Sequence, residues 1–429
     1  MSWKLAPFSM VAFLFACGQL NNNNDSNRDA VECQPIKRLR AGVGLALSQT
    51  ATGTMALDVF STAQPECVQK AVLEYEGIGV LRRFEERAVI LDQTPDAAVI
   101  QFIEEDLTLG SQLSIDSECM PVDALPLRDN LMVISCRAVP HLLIWNVDDN
   151  TLHEVIDLMV MSSGMSPGEG EEVLPGMDQM AMDDEYLYVT TQDLMYNAEM
   201  GKMLPVGPGA IAKISMDWLE VVASLDGPPG FPVEPFWRPQ TRMAQLSTGE
   251  FIVGCGGNGM GGPEGDPSVG VLKLSPGDIS KSPEIVADSI ALGGVPKEVV
   301  VTRDDRIFIW VGAPAMEDMH LHEEEGVVPP PGMDMFPPLP ASVMEIVPQE
   351  FSVEEGNVPE DNFVGVPLPI FDAGDADITA LQADAYGRIF IGVVSGSGLG
   401  ALGYTDVTKD NPQIEQAPLS GGPTSIVLY

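Results

Sequence analysis

Residues 304–309 read Asp-Asp-Arg-Ile-Phe-Ile, and residues 386–391 repeat them almost unchanged as Tyr-Gly-Arg-Ile-Phe-Ile. A charged or glycine turn feeds a run of β-branched and aromatic residues, which is how a strand buried on both faces is written. Looser copies stand at Glu85–Ile90, Arg128–Ile134, Asp183–Val189 and Thr248–Val253. A strand-like run precedes each copy, as at Val299–Val301 or Ile378–Leu381, and a third strand follows, as at Leu142–Val147 or Ala210–Ile214. A fourth often closes the unit, as at Leu152–Ile156. Helical periodicity is almost absent. Four strands recurring every ~40–80 residues, with the excess in loops, predict a β-propeller.

The two ends of the chain fix the count. Six units fit between Ile78 and Ser420, which leaves one strand behind them, Thr424–Tyr429. Three strands stand in front: Gly42–Leu47, Met55–Phe60 and Ala71–Tyr75. One plus three completes a seventh blade, so the expected fold is all-β, a seven-bladed propeller closed by pairing of the C-terminal strand with N-terminal strands. Such closure removes the exposed edges of a linear array. A misread blade would make the ring six or eight.

The stretch Leu131–Ser135 followed by Leu142–Leu158 resembles a YVTN-type propeller repeat: strand, short loop, apolar strand ending in Asp, a turn with Thr, then a strand. Most of 41–429 is similar in layout to lipid-anchored propellers of the quinoprotein-dehydrogenase-like and lactonase-like seven-bladed kind, most specifically in blades two, three and six. That resemblance implies a fold and not an activity, because propellers host enzymes and passive scaffolds alike.

The N-terminus reads as an address. Lys4 precedes an apolar stretch, Leu5–Phe15, too short to span a bilayer. The stretch ends in Leu14-Phe15-Ala16-Cys17-Gly18, which resembles the bacterial lipobox, and implies lipidation of Cys17 after removal of residues 1–16. Phe15 departs from the usual small or β-branched residue, and an ordinary secretory peptide is the competing reading. The polar tract Asn21–Asn27 cannot bury apolar area, so 17–40 is expected to be a tether and 41–429 the propeller. Gly18 after the cysteine suits outer-membrane sorting by analogy with that family.

Cysteine usage agrees with export. Cys119 precedes one predicted strand and Cys136 ends the next, so the hairpin between them sets the two face to face, and a bridge is expected there. Cys33–Cys67 would then pin the N-terminal segment, leaving Cys255 as a buried or free thiol.

Composition limits the partners. With 63 acidic residues against 22 Lys plus Arg, the formal charge is −41, a field that repels phosphate backbones and excludes nucleic acid. Solubility, in a salty habitat for example, explains that charge more simply than a cationic partner does. Hydrophobic residues at 45% suffice for a large core.

Chemistry is harder to find. Gly312–Pro340 holds Met316, Met319, His320 and His322, soft ligands that suit copper(I), although a proline-rich solvated loop would look the same. Asp372, Asp375 and Asp377 space oxygen ligands as a calcium loop does, but lack its terminal Glu, and acidic turn residues account for them. Glycine-rich Gly254–Gly262 opens no helix and so is no phosphate cradle. Four histidines, at 141, 153, 320 and 322, offer no triad. No cofactor is expected on the main reading, with calcium or copper as the alternative.

Geometry supplies the stronger argument. The long insertions Asp193–Pro208, Gly256–Pro267 and Ala313–Pro340 all join second strands to third, so they leave one face of the ring, with Asn197, Asn258, Met333 and Phe336 among their residues. The expected function is a non-catalytic binding or scaffold protein of the cell envelope, held to the membrane by its lipid, monomeric, and engaging a protein, glycan or small molecule through that face. The alternative is a periplasmic enzyme, lactonase-like or quinoprotein-like, with a metal in the central channel. Its inward carboxylates would be Glu298, Asp123 and Asp178.

Overall fold

The computed structural model describes residues 33–94, 98–115, 118–128, 130–162, 173–197, 202–222, 238–239, 241–256, 270–277, 283–312, 341–348, 365–374, 376–409 and 412–429. The chain forms two compact units, 1–35 and 36–429, and all described strands belong to the second. They make seven antiparallel sheets, the blades of a propeller.

Blade one is Gly422–Leu428, Val43–Gln49, Met55–Ser61 and Val68–Tyr75, in order from the axis outward. Blade two is Gly79–Phe84, Arg87–Asp92, Val99–Ile103 and Leu109–Ser114; blade three is Pro121–Pro126, Leu131–Cys136, His141–Asn146 and Thr151–Asp157. Blade four is Val173–Met182, Tyr186–Asn197, Lys202–Ser215 and Glu220–Val221. In blade five the innermost position is split between Arg238–Pro239 and Ala244–Gln245, followed by Phe251–Gly256, Gly270–Leu274 and Glu284–Asp288. Blade six is Val295–Val301, Ile307–Gly312, Ser342–Pro348 and Gly365–Asp372; blade seven is Asp377–Ala383, Arg388–Val394, Gly400–Asp406 and Glu415–Pro418.

The sequence repeat has a backbone cause. In blades three, five, six and seven the turn from first to second strand puts one residue in the left-handed region: Asn130, Gly249, Asp305 and Gly387. Glycine, Asn and Asp tolerate that conformation best, which is why those letters mark these four copies; in blade two Glu85 takes the same conformation. The strand that follows is sandwiched between neighbouring blades, so both its faces are apolar. Ala88, Val89, Ile90 and Leu91 are all buried, as are Ile389, Phe390 and Ile391. The core is therefore a series of layers between blades rather than one nucleus, each layer mixing residues of adjacent sheets.

The ring closes as the ends of the chain predict. Gly44 to Gln49 pair antiparallel with Leu428 to Gly422, and Tyr429 accepts a backbone bond from Gly42. Behind this seam, Ala46, Phe60 and Ile426 of blade one pack on Ala380, Phe390 and Leu402 of blade seven, with the Phe60 and Phe390 rings 5.5 Å apart. Backbones approach closely here. A Cβ on Gly400 would lie 1.6 Å from the Gly421 carbonyl oxygen, so only glycine fits.

Packing starts ahead of the first strand, where Leu39 is buried and its N–H donates to the Glu105 carbonyl. Cys119 and Cys136 form a disulfide, Cys33 and Cys67 are likewise disulfide-bonded, and Cys255 is a buried free thiol.

Candidate functional site

The innermost strands are irregular in the same way around the ring. One extra residue interrupts the ladder with the second strand at Thr424 in blade one, Val122 in blade three, Asp178–Gln179 in blade four, Lys297 in blade six and Thr379 in blade seven. Blade five goes further: Pro239 pairs with Cys255 and Ala244 with Ile252, and between these short pairings Thr241 stays bonded to Gly254 while Arg242 and Met243 bow out. Blade two alone is regular. A bulge frees its residues from the alternation of the strand and re-aims their side chains.

These bulges lie near the beginning of their strands, except in blade four, where Asp178–Gln179 falls past the middle of a longer strand. A blade that runs outward from the axis begins its first strand, ends its second and begins its third on one face. The bulges therefore sit toward the face from which the connections 198–201, 257–269 and 313–341 depart, each joining a second strand to a third. In blade four the hairpin Tyr186–Asn197 and Lys202–Ser215 continues its pairing out to Asn197 and Lys202 on that side. The connection 349–364 runs from third to fourth strand and belongs to the other face.

At the level of the bulges, charged groups from different blades meet across the axis. Arg82 of blade two donates from Nε to Oδ1 of Asp123 in blade three at 2.5 Å, and from its other nitrogens to the carbonyls of Leu81 and Val122 and to Oε1 of Gln179 in blade four. The second Asp123 oxygen accepts the Met180 N–H at 2.9 Å. Asp178 accepts from Gln179, Gln192 and Arg137. Glu298 of blade six accepts two backbone N–H bonds through Oε1, from Val299 and from Arg242, both 3.3 Å. The Arg242 guanidinium feels the charges of Arg82, Glu298 and Asp123, which stand on three other innermost strands; only an axial position allows that.

Of the three carboxylates expected from the sequence, Asp123 and Asp178 feel each other's charge, whereas Glu298 is linked to them only through Arg82 and Arg242. Arg82, Asp123 and Asp178 are buried in the wall, whereas Gln179, Arg242 and Glu298 keep partial access to solvent. Burial raises the Glu298 carboxyl above the usual range, against the charges of Arg242 and Arg82 and its two backbone bonds. Burial also raises Asp178, with Arg137 and Gln179 opposing and Asp123 adding to it. Arg242 is lowered by burial and by its neighbour Arg82, while Glu298 and Asp123 pull the other way.

The sign of the Glu298 shift gives a prediction. A carboxyl raised in the fold binds its proton more tightly there than in the unfolded chain, so it supports the fold at acidic pH and loses that support as pH rises through the folded value. Between about pH 4 and about pH 8 the wild-type protein should lose more thermal stability than Glu298→Gln, which keeps both backbone acceptor bonds without the charge. The general repulsion among acidic groups is common to both proteins and cancels in the comparison. Parallel pH profiles of the two melting temperatures would refute the assignment.

Other expected residues fall as follows. Asn197 ends the second strand of blade four, while Cys17, Asn258, Met316, Met319, His320, His322, Met333 and Phe336 lie outside the described residues. Asp372 accepts the Gly374 N–H and so closes a turn. His153 is exposed and His141 partly so. Among the described residues, no three His, Cys, Asp or Glu gather as a metal-binding group. Arg82, Gln179 and Arg242 escape the sequence reading.

The fold and its axial cluster define the class, a seven-bladed propeller, and the comparisons agree at that level. No family model matches the chain, and no curated protein does. Solved structures match it over most of its length. A quinoprotein alcohol dehydrogenase-like protein from Bacteroides thetaiotaomicron has a TM-score of 0.51 at 7% identity, covering 91% of this chain and 79% of that one. A protein from Lactobacillus plantarum gives 0.50 at 11%, covering 90% and 99%. Apo AztD from Citrobacter koseri gives 0.41 at 11%, covering 90% and 97%, too distant to carry an argument. At such identities the likeness shows the fold alone.

Proposed function

We propose that this chain is a non-catalytic binding protein of the cell envelope, anchored through Cys17 and recognising its ligand on the face that carries the long second-to-third connections. One observation carries the reading. The bulged, polar ends of the innermost strands open on that same face, so a built polar site and the longest connection between described strands, 313–341, coincide. The disulfides support an oxidising compartment, as export would provide. The axial carboxylates fit a metal-dependent enzyme less well, because Asp123 already accepts from Arg82 and a backbone amide, and Glu298 from two amides. A cation would have to displace those donors.

The test is to shorten 257–269 and 313–340 to brief Gly-Ser links in the full chain. A far-UV spectrum and melting temperature close to the parent's are expected, together with loss of whatever protein, glycan or small ligand the parent retains in a binding screen. Collapse of the fold in both variants, or a stoichiometric calcium ion or quinone in the purified parent, would overturn the proposal.

A further inference from the structure

We infer that the axial cluster takes the oxyanion group of a small molecule, a carboxylate or a phosphate, on Arg242 with Arg82 behind it. The inference rests on the reading of this face as the recognition side and names the chemistry that the site accepts.

The two arginines are used very differently. Arg82 is fully committed, with Asp123, Leu81, Val122 and Gln179 accepting from its nitrogens. Arg242 is not: among the described residues its guanidinium has neither a hydrogen bond nor an ion pair, and its one bond to Glu298 comes from the backbone N–H. A guanidinium carries five donors in a planar fork, and those of Arg242 have no acceptor among the described residues and stay open to solvent, where a ligand can reach them. Glu298 and Asp123 lie within electrostatic reach of it, yet among the described residues neither forms a hydrogen bond or an ion pair with the guanidinium.

The position adds to the case. Arg242 lies in the bowed segment between the two short innermost pairings of blade five, where the backbone is released from the ladder. It keeps partial access to solvent and stands within electrostatic reach of Arg82, a like charge. Two guanidiniums near each other repel, and an anion placed against Arg242 removes that repulsion while filling the empty fork. Bidentate pairing of this kind suits carboxylate and phosphate oxygens. Glu298 does not do the same job, because its Oε1 is held by two amides and it forms no ion pair with the Arg242 guanidinium. It borders the place where the anion would sit.

The probes are succinate, citrate and inorganic phosphate, with chloride at matched ionic strength as control, added to the full-length protein and followed by thermal unfolding and titration calorimetry. We expect a concentration-dependent rise in melting temperature with at least one oxyanion and none with chloride. The carboxylate and phosphate arms separate the two sources. Arg242→Met should fold with an unliganded melting temperature equal to or above wild type, since it removes an unpartnered charge, and should weaken that anion about 10- to 100-fold. Arg242→Lys, which keeps the charge and loses the fork, should fall between them and guards against misfolding of the Met variant. No response to any oxyanion, or equal affinity in wild type and Arg242→Met, overturns the inference. So does a drop in unliganded stability in both variants, since that would make Arg242 a structural ion-pair partner. Failure here with loop-dependent binding intact would sink only the oxyanion, and a stoichiometric metal in the parent would sink the broader reading.

Discussion

Removal of residues 422–429 should abolish cooperative unfolding of the entire propeller, not just loosen one blade. Those residues form the innermost strand of blade one and hydrogen-bond along Gly44–Gln49. Ile426 and Val427 are almost fully buried, and burying such side chains contributes roughly 1.5–3 kcal/mol each. The Ser425 hydroxyl accepts the Leu81 N–H of blade two, and Thr424 donates to the Gly79 carbonyl, so the lost strand also ties blade one to blade two. Deleting it leaves Leu45 and Leu47 beside an open edge. The combined loss is comparable to the entire net stability of an ordinary domain, about 5–15 kcal/mol. Far-UV circular dichroism with a thermal melt decides the matter. A truncated chain that melts cooperatively within a few degrees of the parent would mean the seam is not structural.

The second large effect belongs to the axis. Arg82→Met should destabilise the protein by about 3–5 kcal/mol, because it leaves the Asp123 carboxylate buried without its cation. The double change Arg82→Met with Asp123→Leu should recover part of that loss, since both charges then disappear together. Recovery is incomplete because the Met180 N–H loses its acceptor. Urea unfolding of the two singles and the double, read as a cycle, measures the coupling. A cost below about 1 kcal/mol for Arg82→Met would place the pair in water rather than in the wall.

What could be seen in the sequence, and what could not, follows from the same physics. Second strands were legible because both of their faces are covered, so they are uninterrupted apolar runs behind a turn residue with left-handed backbone, as at Asp305 and Gly387. Closure was legible by counting strands at the two ends, and the bridge between Cys119 and Cys136 by hairpin geometry. Glu298, Asp123 and Asp178 stood out as acids in otherwise apolar innermost strands. Arg82 did not, because Leu81-Arg82-Arg83 looks like a charged edge, and nothing local says that one arginine turns inward while the next stays out. Arg242 was hidden more deeply. Its strand is two dipeptides separated by a bow, with no periodicity to detect, and bulges become visible only when the register with the neighbouring strand is known.

Those bulges have a wider consequence. An extra residue that stands outside the ladder takes no part in holding register, so replacing it alters what faces the axis and leaves the alternation behind it untouched. Thr379, whose buried hydroxyl has no partner, and the bow at Arg242 are the positions the scaffold constrains least, whereas Thr424 also donates to the Leu47 and Gly79 carbonyls. Evolution, or an engineer, could respell that lining letter by letter and obtain new selectivities from one unchanged frame.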